Sequence, residues 1–179
     1  MTNAETTSLC SSATLERACH TRSSFIGSRI TYCPREASAG DVANEVSYLL
    51  ATLRIPLNDE QGEFDGQVLA LAKLIIDSLN EDEIGKWLPS KIAEEKGIAK
   101  FERFLAMNGI AAEPVGTYMR RLYGLRHGVG HRKGDGYERA AEFFGVGKQP
   151  LRDVFVEILI AATELLQLLD RKLIGGKED

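Results

Sequence analysis

"LRDVFVEILIAATELLQLLDRKL", residues 151–173, is the strongest helical pattern in this 179-residue sequence and decides its fold class. Apolar residues recur at intervals of three and four, which predicts one long helix with a broad buried face. Pro150 comes directly before it, where the fixed backbone angle of proline favours the start of a helix. The predicted buried face consists of Phe155, Ile158, Leu159, Ala162, Leu165, Leu166 and Leu169.

Shorter amphipathic patterns occupy the chain upstream of this helix. Asp41 is predicted to cap the first of them, and Pro56 to end it. A second pattern has a stripe of Val68, Leu71, Ala72, Ile75, Ile76 and Leu79 for one buried face. The predicted helices span 41–53, 65–80, 81–97, 98–109, 114–131 and 137–145.

Proline and glycine divide these patterns. Pro89 is expected to break or kink the third helix, and Asn108-Gly109 to end the fourth. Pro114 suits the first turn of the fifth. The sequence contains no convincing strand, and its connections are short, so we predict an all-α antiparallel helical bundle over residues 39–175.

Residues 1–38 differ from the rest of the chain. They are rich in Ser, Thr, Ala and Arg without a sustained apolar period, which predicts a disordered N-terminal arm. All three cysteines, Cys10, Cys19 and Cys33, lie in this arm, so no disulfide framework is expected to hold the bundle. Cys19, His20 and Cys33 match no established zinc spacing.

Composition narrows the function classes. The net charge of −4 disfavours a globally basic nucleic-acid binder but leaves room for a local basic patch. No apolar run reaches the roughly 18–20 residues that span a bilayer, and the first residues lack the apolar segment of a signal peptide. We therefore expect a cytoplasmic protein that does not act at a membrane.

Positive charge is concentrated in one segment. Residues 116–139 contain six basic and two acidic side chains, a local charge of +4 that leaves −8 for the rest of a chain of net charge −4. Such a cluster attracts phosphate, which arginine binds through two parallel hydrogen bonds. Ordinary pairing with glutamates of neighbouring helices is the alternative interpretation. The six basic residues are Arg120, Arg121, Arg126, Arg132, Lys133 and Arg139.

Two of the three histidines, His127 and His131, lie in the same segment, within "LRHGVGHRKGDG" at 125–136. Histidine has an ordinary pKa of about 6.5, which suits it to proton transfer near neutral pH. A base can remove the 2′-hydroxyl proton of RNA, and a cation such as Arg126 can stabilise the phosphate as the 2′-oxygen attacks it. The segment therefore holds the groups needed to cleave RNA without a metal.

The spacing of these residues is not that of a regular helical site. Arg126 and His131 are five positions apart, about 140° around a helix, and would not converge. Gly128 and Gly130 weaken a helix, so we infer that it ends or loosens here and lets His131 approach Arg126. A second copy of the chain would be another way to complete the site. A close, glycine-mediated contact between helices remains the structural alternative.

A metal site is the third interpretation of the histidines. His127 and His131 have the HxxxH spacing of helical zinc sites. No Glu follows His127, only Asp135 is nearby as an acidic ligand, and the surrounding cations oppose a dication. We therefore expect neither a metal nor another cofactor.

"LYGLRHGVGHR", residues 122–132, resembles the signature of HEPN domains, the higher eukaryote and prokaryote nucleotide-binding superfamily. That signature is an arginine, a polar residue, a short spacer and a histidine, matched here by Arg126, His127 and His131. The preceding "RRLYGL" and the following basic residues resemble the abortive-infection branch of the family. The resemblance covers about residues 40–173.

The resemblance implies a helical bundle that pairs as a homodimer, with two copies of the motif in a shared cleft. It also implies a metal-independent endoribonuclease in a defence, toxin or stress role, with an antitoxin or regulatory protein as a further partner. Arg126, His127 and His131 would be the catalytic group, and we expect Arg120, Arg121, Arg132 and Lys133 to bind RNA. The alternative is a non-catalytic HEPN-like module for interaction or dimerisation.

Overall fold

A computed structural model describes residues 39–129 and 134–173, with side chains from residue 46 onward. The described residues are mainly helical, and their only pairing of the β type is an isolated bridge between Val146 and Gln149. The predicted all-α bundle is thereby confirmed. Its elements are α1 (Ala39–Thr52), α2 (Gln61–Ala72) continuing as a π-helical turn (Lys73–Asp77), α3 (Glu81–Trp87), α4 (Gly97–Met107), α5 (Ala112–Gly128), α6 (Asp135–Phe144) and α7 (Leu151–Leu173).

Local sequence explains where several helices begin and end. The Asn80 side chain caps α3 by accepting the backbone N–H of Glu83 at 3.0 Å. Leu88 is extended (ψ 136°) because the following Pro89 disfavours helical geometry, so the predicted break is confirmed. After α4, Gly109 takes a left-handed conformation (φ +70°) that few other residues tolerate.

Two predicted helix starts are wrong. The first helix begins at Ala39, so Asp41 lies within its first turn and is not its N-cap. The second begins at Gln61, one turn before the predicted 65, because Phe64 extends the apolar stripe and is buried. The π-helical turn at the end of α2 was not predicted, since the apolar spacing of an α-helix and a short π-helical turn are not distinguishable by pattern.

The core lies where α2, α5 and α7 meet. Phe64 of α2 and Phe155 of α7 pack edge to face, with ring centroids 6.4 Å apart. Tyr118 of α5 donates its hydroxyl to the backbone oxygen of Ile158 at 2.9 Å, and its burial raises the pKa of the phenol well above its ordinary value. The predicted stripe of α7 is confirmed: Phe155, Ile158, Leu159, Ala162 and Leu165 are buried, and Leu166 and Leu169 are partly buried.

Helix α5 is central to the bundle, because it packs against α2, α4 and α6. One face supplies Val115, Tyr118, Met119, Leu122 and Leu125 to the core. Of its basic residues, Arg120 is exposed, whereas Arg121 and Arg126 are partly exposed. Among the described helices, none combines the length and the apolar composition needed to cross a bilayer.

A candidate anion-binding cleft between α5 and α6

Glycines allow α5 and α6 to approach each other closely. A Cβ atom on Gly124 would lie 2.7 Å from the backbone oxygen of Gly136 and 3.0 Å from the Cβ of Ala140. A Cβ on Gly128 would lie 2.1 Å from the ring of Tyr137. The distances of 2.7 Å and 2.1 Å are shorter than real Cβ contacts, so a side chain at either position would force the neighbouring atoms to shift.

The geometry at Gly128 agrees with both interpretations of the glycine-rich sequence. Helix α5 ends at Gly128, where the sequence predicts that the helix ends or loosens, and Val129 beyond it keeps right-handed helical angles (φ −69°, ψ −31°). Gly128 also receives the ring of Tyr137, and Gly124 approaches the backbone of α6, so these two glycines provide a close contact between helices. The predicted approach of His131 to Arg126 lies outside the described residues.

A cleft of about 640 Å³ opens beside this contact. That volume is in the range of small-molecule and nucleotide sites. Both helices contribute glycines to its surface, and Tyr123 and Tyr137 contribute rings. Its polar side chains are Thr117, Arg120, Arg121, His127 and Arg139.

The cleft is strongly asymmetric in charge. Three arginines and a histidine line it, and the described lining residues include no aspartate or glutamate. Several guanidinium groups along one concave surface favour an anion, above all the oxygens of phosphate or carboxylate. Part of the predicted basic cluster thus lines a cleft, while Arg120 also shows the alternative arrangement, pairing with a glutamate of a neighbouring helix, Glu102.

The three arginines are held in different ways. Arg120 forms two hydrogen bonds with the carboxylate of Glu102 on α4, one of them 2.8 Å long from Nη1 to Oε1. Arg121 lies over the exposed ring of Phe143, 5.8 Å from its centroid. Arg139 donates from Nε to the backbone oxygen of Asp135 at 3.1 Å.

Arg126 is positioned differently. Its guanidinium forms an ion pair with Asp77, the last residue of the π-helical turn, and is not part of the cleft lining. It also lies over the ring of Tyr123, 5.9 Å from the centroid. Arg126 is thus next to Tyr123, which lines the cleft, but is not itself a lining residue.

His127 is in the cleft wall. Its ring meets that of Tyr123 one helical turn earlier, with centroids 4.5 Å apart and planes at 77°. This contact orients the imidazole beside the arginines. His127 thus has a position from which it can exchange a proton with an anion held in the cleft.

The structure brings together part of the predicted site. Arg120, Arg121 and His127 share the cleft, whereas Arg126 is paired with Asp77. His131, Arg132 and Lys133 lie outside the described residues, as do the N-terminal arm and its cysteines. The cleft is lined on both sides of that gap in the sequence, by Gly128 and by Gly134.

Three contributors to the site were not assigned by sequence reasoning. Arg139 was counted in the basic cluster but not proposed to bind RNA; its place on α6, opposite α5, brings it to the cleft. Tyr137 was not singled out, although a tyrosine nine residues after Gly128 is a visible feature. Pairing with a glutamate of a neighbouring helix is the alternative that the sequence offers for the basic cluster, but the choice of Glu102 as the partner of Arg120 depends on how α4 packs against α5.

No three His, Cys, Asp or Glu side chains within residues 46–129 and 134–173 are grouped so as to hold a metal ion. The HxxxH hypothesis involves His131 and so falls outside that range. The hypothesis is not tested by these side chains.

Comparisons with known proteins give no further identification. No protein-family model, curated protein or solved structure matches the chain. The described helices establish an all-α bundle, and the HEPN resemblance stays a prediction from residues 122–132.

Proposed function

We propose that the α5–α6 cleft binds the phosphodiester backbone of RNA and that the protein is a metal-independent endoribonuclease of HEPN type. The observation that carries the proposal is the composition of the cleft: Arg120, Arg121 and Arg139 line it together with His127, with no carboxylate in the described lining. Arginine provides the fixed charge that phosphate binding needs, and histidine the group that can move a proton.

The proposed reaction uses the 2′-hydroxyl of RNA as its nucleophile. A histidine removes the hydroxyl proton, the 2′-oxygen forms a bond to the adjacent phosphorus, and the bond to the 5′-oxygen breaks. A second acid, or the same histidine after proton exchange, protonates the leaving 5′-oxygen. The products are a 2′,3′-cyclic phosphate and a 5′-hydroxyl end.

Roles within the site follow from position and from the motif. Arg120, Arg121 and Arg139 would hold phosphates, and His127 would act as a proton-transfer or orienting group. His131 is proposed as the principal acid–base residue and Arg126 as the stabiliser of the transition state, both from the sequence motif. Arg132 and Lys133 are proposed to extend the RNA contact.

Arg126 can take this role only if its guanidinium leaves Asp77. The pair is exposed, with 26% of the Arg126 side chain and 41% of the Asp77 side chain accessible, so water screens it and its rupture costs little. A phosphate oxygen offers arginine the same bidentate geometry as a carboxylate. RNA is therefore a reasonable competitor for Asp77.

Pairing of two copies is part of the proposal. Part of the last helix, α7, or the α5 surface near Tyr123, which is 41% exposed, would lie in the homodimer interface. A dimer would bring a second set of cleft residues to the same RNA. Sedimentation that gives a monomer at about tens of micromolar, the range of weak interfaces, would remove this part of the proposal.

The testing experiment is cleavage of a labelled single-stranded RNA in EDTA. Wild-type protein should produce 2′,3′-cyclic phosphate ends, with activity that varies between about pH 5 and 8 because a histidine must change its protonation state. His131→Ala and Arg126→Ala should each abolish cleavage, and His127→Ala should reduce it. Arg126→Lys should restore little, since lysine lacks the planar guanidinium.

Arg171→Ala is the matched control. It removes the same charge from an exposed position at the end of α7 and should leave cleavage unchanged. DNA of the same sequence should bind without being cut, because it has no 2′-hydroxyl. Cleavage of DNA, or loss of RNA cleavage in EDTA, would contradict the mechanism and favour a metal site at His127 and His131.

One observation favours a second function. Because Arg126 is paired with Asp77 and not directed into the cleft, the chain is also consistent with a non-catalytic HEPN-like module that binds an anionic partner. This alternative predicts RNA binding at the cleft with no cleavage at any protein concentration. An antitoxin or other regulatory protein would be the partner in that case.

A further inference from the structure

The geometry points to Glu102 as a positioning residue that fixes Arg120 at the wall of the cleft for contact with an anion. Glu102 lies on α4 and lines no part of the cleft itself. The inference rests on the proposed function, since it concerns how the cleft binds the RNA backbone. Three observations support it independently of the HEPN motif.

The first is the contact between the two side chains. The Glu102 carboxylate uses both oxygens to accept hydrogen bonds from Nη1 and Nη2 of Arg120. This paired arrangement fixes the plane of the guanidinium as well as its distance. Arginine has five N–H donors, so two bonds to Glu102 leave three for another acceptor.

The second observation is the difference in exposure. The Glu102 side chain is 18% accessible and the Arg120 side chain 53%. Glu102 is thus set back among the helices, whereas Arg120 keeps a large accessible surface at the cleft. A carboxylate that merely neutralised Arg120 would not need to be the more buried partner.

The third observation is the space that the sequence leaves for the carboxylate. A Cβ atom on Gly116 of α5 would lie 1.7 Å from Oε1 of Glu102 and 2.3 Å from its Cδ. Only glycine at position 116 allows the carboxylate to occupy this place. Gly116, Glu102 and Arg120 therefore form one unit across α4 and α5.

The physical benefit is preorganisation. A free arginine side chain loses much of its rotamer freedom when it binds a ligand. Glu102 imposes that loss in the folded protein, before the ligand arrives. The Glu102 carboxylate also offsets the positive charge of Arg120. Ordering of Arg120 strengthens anion binding and this neutralisation weakens it, so the two effects of Glu102 have opposite signs.

These opposite signs give a decisive test. Glu102→Gln removes a negative charge beside the cleft, so simple electrostatics predicts tighter binding of an anion. Positioning predicts weaker binding, about tenfold in Kd, or about 1.4 kcal/mol. Glu113→Gln is the control, because it removes the same charge from an exposed position in the first turn of α5 and should bind as tightly as wild type or slightly more.

Gly116→Ala provides a second perturbation that keeps the net charge. The added methyl should displace the flexible Glu102 carboxylate while the helix itself tolerates alanine well. It should weaken anion binding as Glu102→Gln does, without lowering the thermal midpoint. Gly66→Ala, at an exposed position of α2 with no atom within 4 Å of the added Cβ, is the control for the glycine substitution.

The experiment measures binding of a labelled single-stranded RNA and of inorganic tripolyphosphate, together with the NMR signal of the Arg120 Nε–H. In wild type that signal should be that of an ordered side chain, and in both variants it should become motionally averaged. Equal or tighter anion binding by Glu102→Gln, or an ordered Arg120 in that variant, overturns the positioning role.

Failure of the proposed function is distinguishable from failure of this inference. If wild-type protein binds tripolyphosphate but not RNA, the RNA proposal is overturned, and the variants are compared with tripolyphosphate alone. If it binds neither anion, both proposals are overturned. Weaker binding of either probe by both variants, with their controls unaffected, supports the role of Glu102.

Discussion

Two helix contacts in this bundle are built in opposite ways. Between α2 and α7 the space is filled by large side chains, with Phe64 against Phe155, both almost fully buried. Between α5 and α6 the contact depends on absent side chains, since Gly124 and Gly128 bring the two backbones together. The filled contact stabilises the fold, and the glycine contact leaves a cleft at its edge where charged groups meet.

The largest stability effect is expected from the filled contact. Phe155→Ala removes a fully buried ring and its partner for Phe64, and should lower the free energy of unfolding by about 3–5 kcal/mol. Urea denaturation measures the loss. Ile160→Ala, on the same helix but 42% exposed, is the control and should remain within about 0.5 kcal/mol of wild type. Equal losses in both variants would mean that α7 does not bury the Phe155 face.

The contact between α5 and α6 should be destabilised when atoms are added to its glycines, because these residues place no side chain between the two helices. Gly128→Ala places a methyl group against the Tyr137 ring, and overpacking of this kind costs about 1–3 kcal/mol. RNA binding should fall as well, because α6 carries Arg139 away from α5. Gly66→Ala, in open space on α2, should instead be neutral or stabilise by up to about 1 kcal/mol. A Gly128→Ala variant as stable as Gly66→Ala would refute the close contact.

The filled contact could be predicted from the sequence, and the glycine contact only in part. The apolar stripe of residues 151–173 is long and regular, and Pro150 marks its start, so both ends of α7 agree with the prediction. Glycine has no side chain to show a periodicity. The sequence is compatible with both a helix end and a close contact at Gly128, and the partner in that contact, Tyr137, depends on how α6 packs against α5.

The partners of the arginines were unpredictable for a related reason. Arg126 pairs with Asp77, which is 49 residues away in the chain, and Arg120 with Glu102, which is 18 away. No local rule of spacing connects residues on different helices. The basic cluster was visible as composition, but its division into cleft residues and a residue paired elsewhere is set by tertiary packing.

A smaller loss of stability is expected from the buried hydrogen bond between Tyr118 of α5 and Ile158 of α7. Tyr118→Phe removes the hydroxyl that Ile158 accepts and should cost about 0.5–1.5 kcal/mol at neutral pH. Because burial raises the pKa of Tyr118 in the folded state, its phenol ionises more readily in the unfolded chain. Wild-type stability should therefore decline as the pH rises above about 10, and that decline should be smaller in Tyr118→Phe. Identical alkaline profiles in denaturant melts would contradict the burial of this hydroxyl.

The smallest stability effect is expected from the ion pair between Asp77, at the end of the π-helical turn, and Arg126 of α5. Asp77→Asn breaks an exposed ion pair and should change the free energy of unfolding by less than about 1 kcal/mol. The same variant should cleave RNA faster than wild type, because Arg126 no longer has to leave a carboxylate. A slower reaction with unchanged stability would mean that Asp77 instead holds Arg126 in its working position.

The central claim is that the cleft between α5 and α6, and not the overall charge of the protein, binds the RNA backbone. It is tested most directly by the affinity for a labelled single-stranded RNA of two double variants with the same net charge. One variant, Arg121→Glu with Arg139→Glu, reverses the charge of two residues that line the cleft. The other, Arg152→Glu with Arg171→Glu, reverses the charge of two exposed residues of α7. The account predicts at least about a tenfold loss of affinity, about 1.4 kcal/mol, for the cleft variant only. Equal losses in the two folded variants would contradict it.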